Sequence, residues 1–325
     1  MALRRRRPRN AGHPALPRGA PVTAKGSTRN RAASERARLS NLARARKLEF
    51  QRVLAEFAIE RILYRLGRSR HAESYVLKGA MLLKLWLPSP GRATWDLDLL
   101  GRGASQVEDV VAVVQELCAM PGNDALVFDS EAARGEAIRV SDPYAGVRVR
   151  LEARLAGARI PMQIDVGFGD SVTPPPQRVD YPVMLDHPPP SILAYPQEAV
   201  VAEKLEAMIS LAVTNSRMKD FHDIYALAAS RRFLGRSLAR AIHATFDRRG
   251  TPLPEGRPLV LTRDFLADPN RQSQWRAFLR RSRLEAVPDG GELADALYEF
   301  LGPVLAALAE EQPFTATWPP GGPWR

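Results

Sequence analysis

Cysteine is almost missing from this sequence: Cys118 is the only one in 325 residues, so no intrachain disulfide can form. The five histidines (His13, His71, His187, His222 and His243) are scattered, and no Cys-x-x-Cys pair occurs, which excludes the spacing of a zinc site. No apolar run approaches the roughly 18–20 residues that cross a bilayer. No apolar stretch follows the N-terminal arginines, as a secretory signal requires. These absences predict a protein without membrane contact in the reducing, cytoplasmic compartment. Phosphate-loop signatures are also absent. There is no Gly-x-x-x-x-Gly-Lys-Ser/Thr, and Gly101-x-Gly103 is followed by Gln106 where a dinucleotide fingerprint needs glycine. No Ser/His/Asp or Cys/His arrangement is discernible.

Acidic residues are absent from residues 1–34, which hold nine Lys/Arg and account for most of the formal net charge of +11. The remainder is therefore close to neutral, and the basic character belongs to a tail. Rich in Pro and Gly, the tail buries too little apolar surface to order itself, so residues 1–34 are predicted to be disordered. It either attracts phosphates in a salt-dependent way or is a solvated extension without a role. Beyond it, 45% hydrophobic and 26% charged residues describe an ordinary globular chain, and the length suits two domains.

From Glu35 the pattern turns helical. Leu39, Leu42, Leu48, Val53, Leu54, Phe57, Ile62, Leu63 and Leu66 recur mostly at threes and fours, and Gly67 marks the end. Tyr75–Leu77 reads as a strand, Lys78-Gly79 as a tight turn, and Ala80–Leu87 as a helix stopped by Pro88. Trp95–Leu100 alternates as a strand does, and Val107–Cys118 is helical. Strands are predicted at Glu136–Val140, Gly146–Arg154 and Ile160–Phe168, the last two forming a hairpin about Ala156-Gly157-Ala158. Residues 171–194 carry two proline triplets and read as a connecting segment. Helices follow at Val200–Val213, Met218–Ala229, Gln274–Arg281 and Leu293–Leu308. The plan is α+β: a mixed-sheet domain with an N-terminal helical arm over 35–190, then a mainly helical domain over 191–325.

Asp96-Leu97-Asp98 lies on a strand, where residues two apart share a face. Two neighbouring carboxylates repel unless a cation lies between them, and Mg²⁺ (or Mn²⁺) favours oxygen ligands. Asp165, inside the apolar strand Gln163–Gly167, is a costly position for an idle charge and suits a third acid facing a cleft. A solvated surface pair is the alternative for Asp96 and Asp98 taken alone. The turn at Lys78, Gly79 and Ala80 offers backbone N–H groups to a phosphate. Lys78 either caps that turn or meets a nucleotide. Asp142 and Asp170 read as turn residues.

Turn, helix, acidic pair and later acid together resemble the polymerase-beta-like nucleotidyltransferase superfamily. Ala202-Glu203-Lys204-Leu205-Glu206-Ala207, followed by Lys219-Asp220-Phe221-His222-Asp223, narrows the resemblance to the AbiEii/AbiGii toxin family, over about residues 35–235. The resemblance implies a metal-dependent nucleotidyltransferase that moves an NMP from an NTP to an acceptor hydroxyl. It implies Asp96, Asp98 and Asp165 as metal ligands, Asp165 also helping to activate the acceptor. Lys204 would contact the triphosphate, and Asp220 with Asp223 would complete the pocket. Without it, Lys204 reads as an exposed helix lysine and Asp220 and Asp223 as members of surface ion pairs. The family's acceptor is in some cases the 3′ end of tRNA, and its partner an antitoxin encoded nearby. The other readings are nucleotidylation of a protein and a non-catalytic nucleotide- or RNA-binding regulator. One departure stands out: Ala80 occupies a turn position where the superfamily has Ser or Gly, so a hydroxyl ligand is lost.

Overall fold

The computed structural model describes residues 24–87, 94–138, 146–284 and 287–325. Asp142 and Val140 lie outside them. Helix α1 (Ala24–Ala45) begins eleven residues before the boundary drawn from charge composition, so residues 24–34 are helical and not disordered. The low-hydropathy N-terminal stretch thus includes a helix start that charge alone concealed. Helix α2 (Phe50–Arg68) follows, then strand β1 (Tyr75–Lys78), a 3₁₀ turn over Gly79–Leu82, and the single-turn α3 (Leu83–Trp86). Strand β2 (Asp96–Gly101), helix α4 (Val107–Ala119) and strands β3 (Val127–Ile138), β4 (Gly146–Leu155) and β5 (Ala158–Phe168) come next.

Strands β6 (Gln177–Asp180) and β7 (Ser191–Ala194) complete a sheet of seven strands in the order β3-β4-β5-β2-β1-β7-β6. The β2/β5 and β1/β7 pairs are parallel and the others antiparallel, so the sheet is mixed, as α+β composition led one to expect. Residues 171–194 are therefore not merely connecting. Their proline triplets flank two short strands, and β7 is hydrogen-bonded inside the sheet, so a boundary at 190 cuts through one layer. Prolines dominate local composition there, whereas parallel pairing with β1 is a long-range event that composition cannot report.

Alternation gives the sheet two characters. On β4 and β5, Val147, Val149, Leu151, Ile160, Met162, Ile164 and Val166 are buried on one face. That face packs on α2 and α4. Helix α2 is covered almost all round, and its charges are consequently paired: Arg61 and Arg65 both donate to Asp124, while Arg52 and Lys84 meet Glu56. The opposite face carries Gln163, Asp165 and Gly167 and is the face of the site.

The second half is helical: α5 (Gln197–Leu211), α6 (Met218–Ser230), α7 (Gly235–Arg249), α8 (Arg263–Ala267), α9 (Pro269–Ser282) and α10 (Gly290–Ala309). A small ribbon of β8 (Phe233–Leu234) and β9 (Thr317–Trp318) ties the end of the chain to the start of α7. Trp318 and Trp324 sit against Phe300, with ring centroids 5.0 and 5.8 Å away. No helix among the described residues is long and apolar enough to cross a membrane.

Candidate active site

The β1–β2 pair sets the first half of the site. Antiparallel register places Lys78 opposite Asp98, and parallel register places Asp165 of β5 on the other side of Asp98. Lys78, Asp98 and Asp165 thus form a row across three strands, with Asp96 beside Gln163 one step along the same face. Gly79 turns the chain with φ +74°, and a Cβ there would lie 2.8 Å from the Asp98 Cβ. Both the left-handed backbone and the approach of Asp98 demand glycine. Ala80 is buried in the following turn.

Crowding shows in the electrostatics. Burial, then the Asp165 and Asp96 charges, push the Asp98 carboxyl above the ordinary aspartate range, against the pull of Lys78 and Lys219. Burial and Asp165 likewise raise Asp96, against Arg148 and Lys219. Asp96 and Asp98, each made harder to charge by Asp165, form with it an oxygen-donor set of the kind a hard divalent cation takes. They are not gathered into a cage, however: among the described residues no group of three or more acid, His or Cys side chains is arranged to hold a metal. Asp165 is engaged by an arginine. Arg148, directly opposite it on β4, donates from Nε to Oδ1 at 2.9 Å and from Nη2 to Oδ2 at 2.7 Å.

The second half comes from the helices. Lys204 on α5 donates to Asp220 Oδ1 at 2.7 Å and to Asp223 Oδ2 at 2.8 Å. Neither acid side chain is exposed to solvent at all, so this is a buried triad and not a surface ion pair. Burial alone would raise the Asp220 carboxyl, but Lys204 and Arg217 outweigh it and hold it below the usual range. Arg217 Nε reaches Asp220 Oδ2 at 2.5 Å, and His222 Nδ1 lies 3.2 Å from Asp223 Oδ1.

The two halves meet twice. Lys219, beside Asp220, lowers the cost of charge on Asp96 and Asp98. Lys78 reaches Asp170 Oδ2 at 2.8 Å and Glu203 of α5 at 3.8 Å. Arg249, at the end of α7, contacts Glu206 at 2.6 Å, Glu203 at 3.6 Å and Asp170 at 3.7 Å. Its guanidinium is thereby held above the ordinary arginine range despite burial. Lys78 Nζ passes over Gly167, 3.6 Å from where a Cβ would stand, which is ordinary contact.

Asp170 was read from sequence as a turn residue; it lies just past the end of β5, in no assigned turn, and anchors Lys78. Arg148, Glu203, Glu206, Lys219 and Arg249 were not singled out as site residues. Arg148 was within reach of counting, because the two-residue turn at Ala156-Gly157 fixes the register that pairs it with Asp165. Arg249 carried no local signal; only the packing of α7 on α5 brings it in.

The structure brings together acids in a row on a mixed sheet, a glycine turn against them and a lysine held by buried acids. The particular family follows from comparison: the model of the nucleotidyl transferase AbiEii toxin, Type IV TA system, matches residues 61–299, and the chain belongs to that family. It is thus a nucleotidyltransferase toxin of a type IV toxin–antitoxin system, with an NTP substrate and an antitoxin partner. Among solved structures, JHP933 from Helicobacter pylori is similar at 15% identity and TM-score 0.46, covering 81% of this chain and 95% of that one. A candidate nucleotidyltransferase from H. pylori is similar at 16% identity and TM-score 0.45, with 81% and 98% covered. No curated protein matches the chain significantly.

Proposed function

We propose that the protein moves an NMP from an NTP to the 3′-terminal hydroxyl of tRNA with the help of Mg²⁺ or Mn²⁺. The observation that carries this reading is the row of Asp98 and Asp165 on paired strands, with Asp96 on the same face. The acceptor oxygen attacks the α-phosphorus, the bond from that phosphorus to the β-bridging oxygen breaks, and pyrophosphate leaves. Asp96 and Asp98 would hold the cation, with Asp165 as third ligand. When bound, the cation offsets charge on the triphosphate and favours the acceptor alkoxide. Asp165 accepts the hydroxyl proton at a carboxylate oxygen. Lys204, oriented by Asp220 and Asp223, offsets charge on the departing pyrophosphate. Lys78 and the Gly79-Ala80 turn flank the nucleotide beside Asp98. Lacking a hydroxyl at residue 80, the turn contributes backbone groups alone.

Induced expression of wild type beside Asp98→Asn, with growth and the 3′ ends of cellular RNA recorded, tests the reading. Growth arrest with added nucleotides on tRNA ends, both lost in the variant, is the expected result. Incubation with labelled NTP and separated pools locates the acceptor. Label confined to protein would replace tRNA by a protein side chain, and no label in either pool would refute nucleotide transfer.

A further inference from the structure

The third acid of the site is held by an arginine. Both oxygens of Asp165 are taken by one guanidinium, and Gln163 Nε2 lies 3.4 Å from Oδ2 as well. A bidentate arginine–carboxylate pair is among the stronger polar contacts a protein makes, because two charge-assisted bonds form in one plane. A cation bound by Asp96 and Asp98 therefore competes with Arg148 for Asp165. The partner that frees Asp165 must offer the guanidinium another anion.

The position of Arg148 says which anion. Lys78, Glu203, Lys204 and Arg249 lie on the β1, α5 and α7 side of the acid row, where the nucleotide is placed above. Arg148 approaches from β4, on the opposite side of Asp165. Strand alternation puts Arg150, Glu152 and Arg154 on the same face as Arg148; Arg150 pairs with Glu136 at 2.7 Å and Arg154 with Glu152 at 2.9 Å, and both arginines are more than half exposed. Arg148 itself is 29% exposed, enough to be reached from solvent. Arg148, the member of this row that touches the acids, suits a phosphodiester of an acceptor strand reaching the site from the β4 side.

Resting on the metal-dependent reading of the site, we propose that Arg148 is a positioning residue that clamps Asp165 until an acceptor phosphodiester takes the guanidinium, releasing Asp165 to the cation and the acceptor hydroxyl. Metal engagement by the third acid is thereby coupled to arrival of the acceptor.

The test uses the full chain and Mn²⁺ alone, followed by calorimetric titration, with steady-state transfer as a second readout. Arg148→Ala removes the competitor, so Mn²⁺ binds roughly tenfold or more tightly than in wild type, the equivalent of a charge-assisted hydrogen bond. In an Asp165→Asn background the same substitution leaves Mn²⁺ affinity unchanged. In transfer assays Arg148→Ala raises KM for the tRNA acceptor and leaves KM for NTP as it was. Arg148→Lys, which cannot hold both oxygens, retains most of the gain in Mn²⁺ affinity and recovers part of the acceptor KM. Equal or weaker Mn²⁺ binding by folded Arg148→Ala and Arg148→Lys, or an unchanged acceptor KM, overturns the clamp while leaving the function intact. Failure of Mn²⁺ to bind wild type and variants alike overturns the metal-dependent reading and the clamp with it.

Discussion

At the scale of single residues the site is a place where charges are held against their preference. The Asp98 carboxyl is raised by burial and by two acidic neighbours, so its folded pKa exceeds the unfolded one. Such a group contributes stability only while protonated; the contribution is lost as pH rises through the folded value. At neutral pH the charged form is therefore a cost that function requires. Asp98→Asn should abolish transfer and yet melt at a higher temperature than wild type in metal-free buffer; a lower melting temperature would contradict this account. Gly79→Ala should do the reverse of a harmless change. The left-handed backbone and the contact with Asp98 together predict a loss of about 1–3 kcal/mol and a large fall in activity, read by urea denaturation and transfer assays. Cys118, by contrast, is inert: burial pushes its thiol up to about 12, out of reach of thiolate chemistry at neutral pH.

At the scale of elements, helix α2 is the case that local sequence describes least well. Its heptad-like apolar spacing foretells one buried stripe, but the helix is covered on nearly every side, and Glu60 and Arg61 are almost wholly buried. Arg61 and Arg65 share Asp124, which lies in the segment between α4 and β3. Removing that acid in Asp124→Ala leaves two buried guanidinium groups without it and should cost about 3–5 kcal/mol in chemical unfolding. Glu60 accepts one bond, from the Met184 amide, while its Oε1 has no hydrogen-bond partner. Burial lifts its carboxyl to about 7, against Met184, Arg61 and Lys84. Because the folded value is the higher one, its contribution is complete below about 4.5 and is lost as pH rises through about 7. Melting temperature should thus fall between pH 5 and 8 by more in wild type than in Glu60→Gln, by an amount equivalent to about 3 kcal/mol. Identical slopes would show that Glu60 is not the titrating group.

At the scale of the whole molecule, the end of the chain closes the helical half. Trp318 Nε1 donates to Ala228 O at 2.7 Å, and Trp324 Nε1 to Phe300 O at 2.9 Å. Ala228 belongs to α6, the helix that presents Asp220 and Asp223 to Lys204. Deleting residues 315–325 should therefore lower the melting temperature by several degrees. It should also loosen the Lys204 triad, raising KM for NTP. A truncated chain with unchanged melting and kinetics would show that this closure is dispensable.

The strands bearing the acids were legible because the signal is local: alternation over five or six residues places Asp96 and Asp98 on one face and makes Asp165 conspicuous among Ile164 and Val166. Residues 24–34, read from composition as part of a disordered tail, instead open α1, eleven residues before the boundary that charge marked. Strand β3 was read only at its C-terminal end, because its edge position and the bulge between Asp129 and Arg134 blur alternation. Strands β6 and β7 were hidden by prolines. What tertiary structure alone decided is which charges oppose which. Arg148 meets Asp165 across a hairpin, Lys204 is closed between two buried acids, and Asp170 and Arg249 join Lys78 and Glu203 from β5's end and α7. Local periodicity dictates the face on which a side chain emerges. The neighbour it meets there depends on how distant segments pack, and that choice determines whether a carboxylate faces another acid or is held by an arginine.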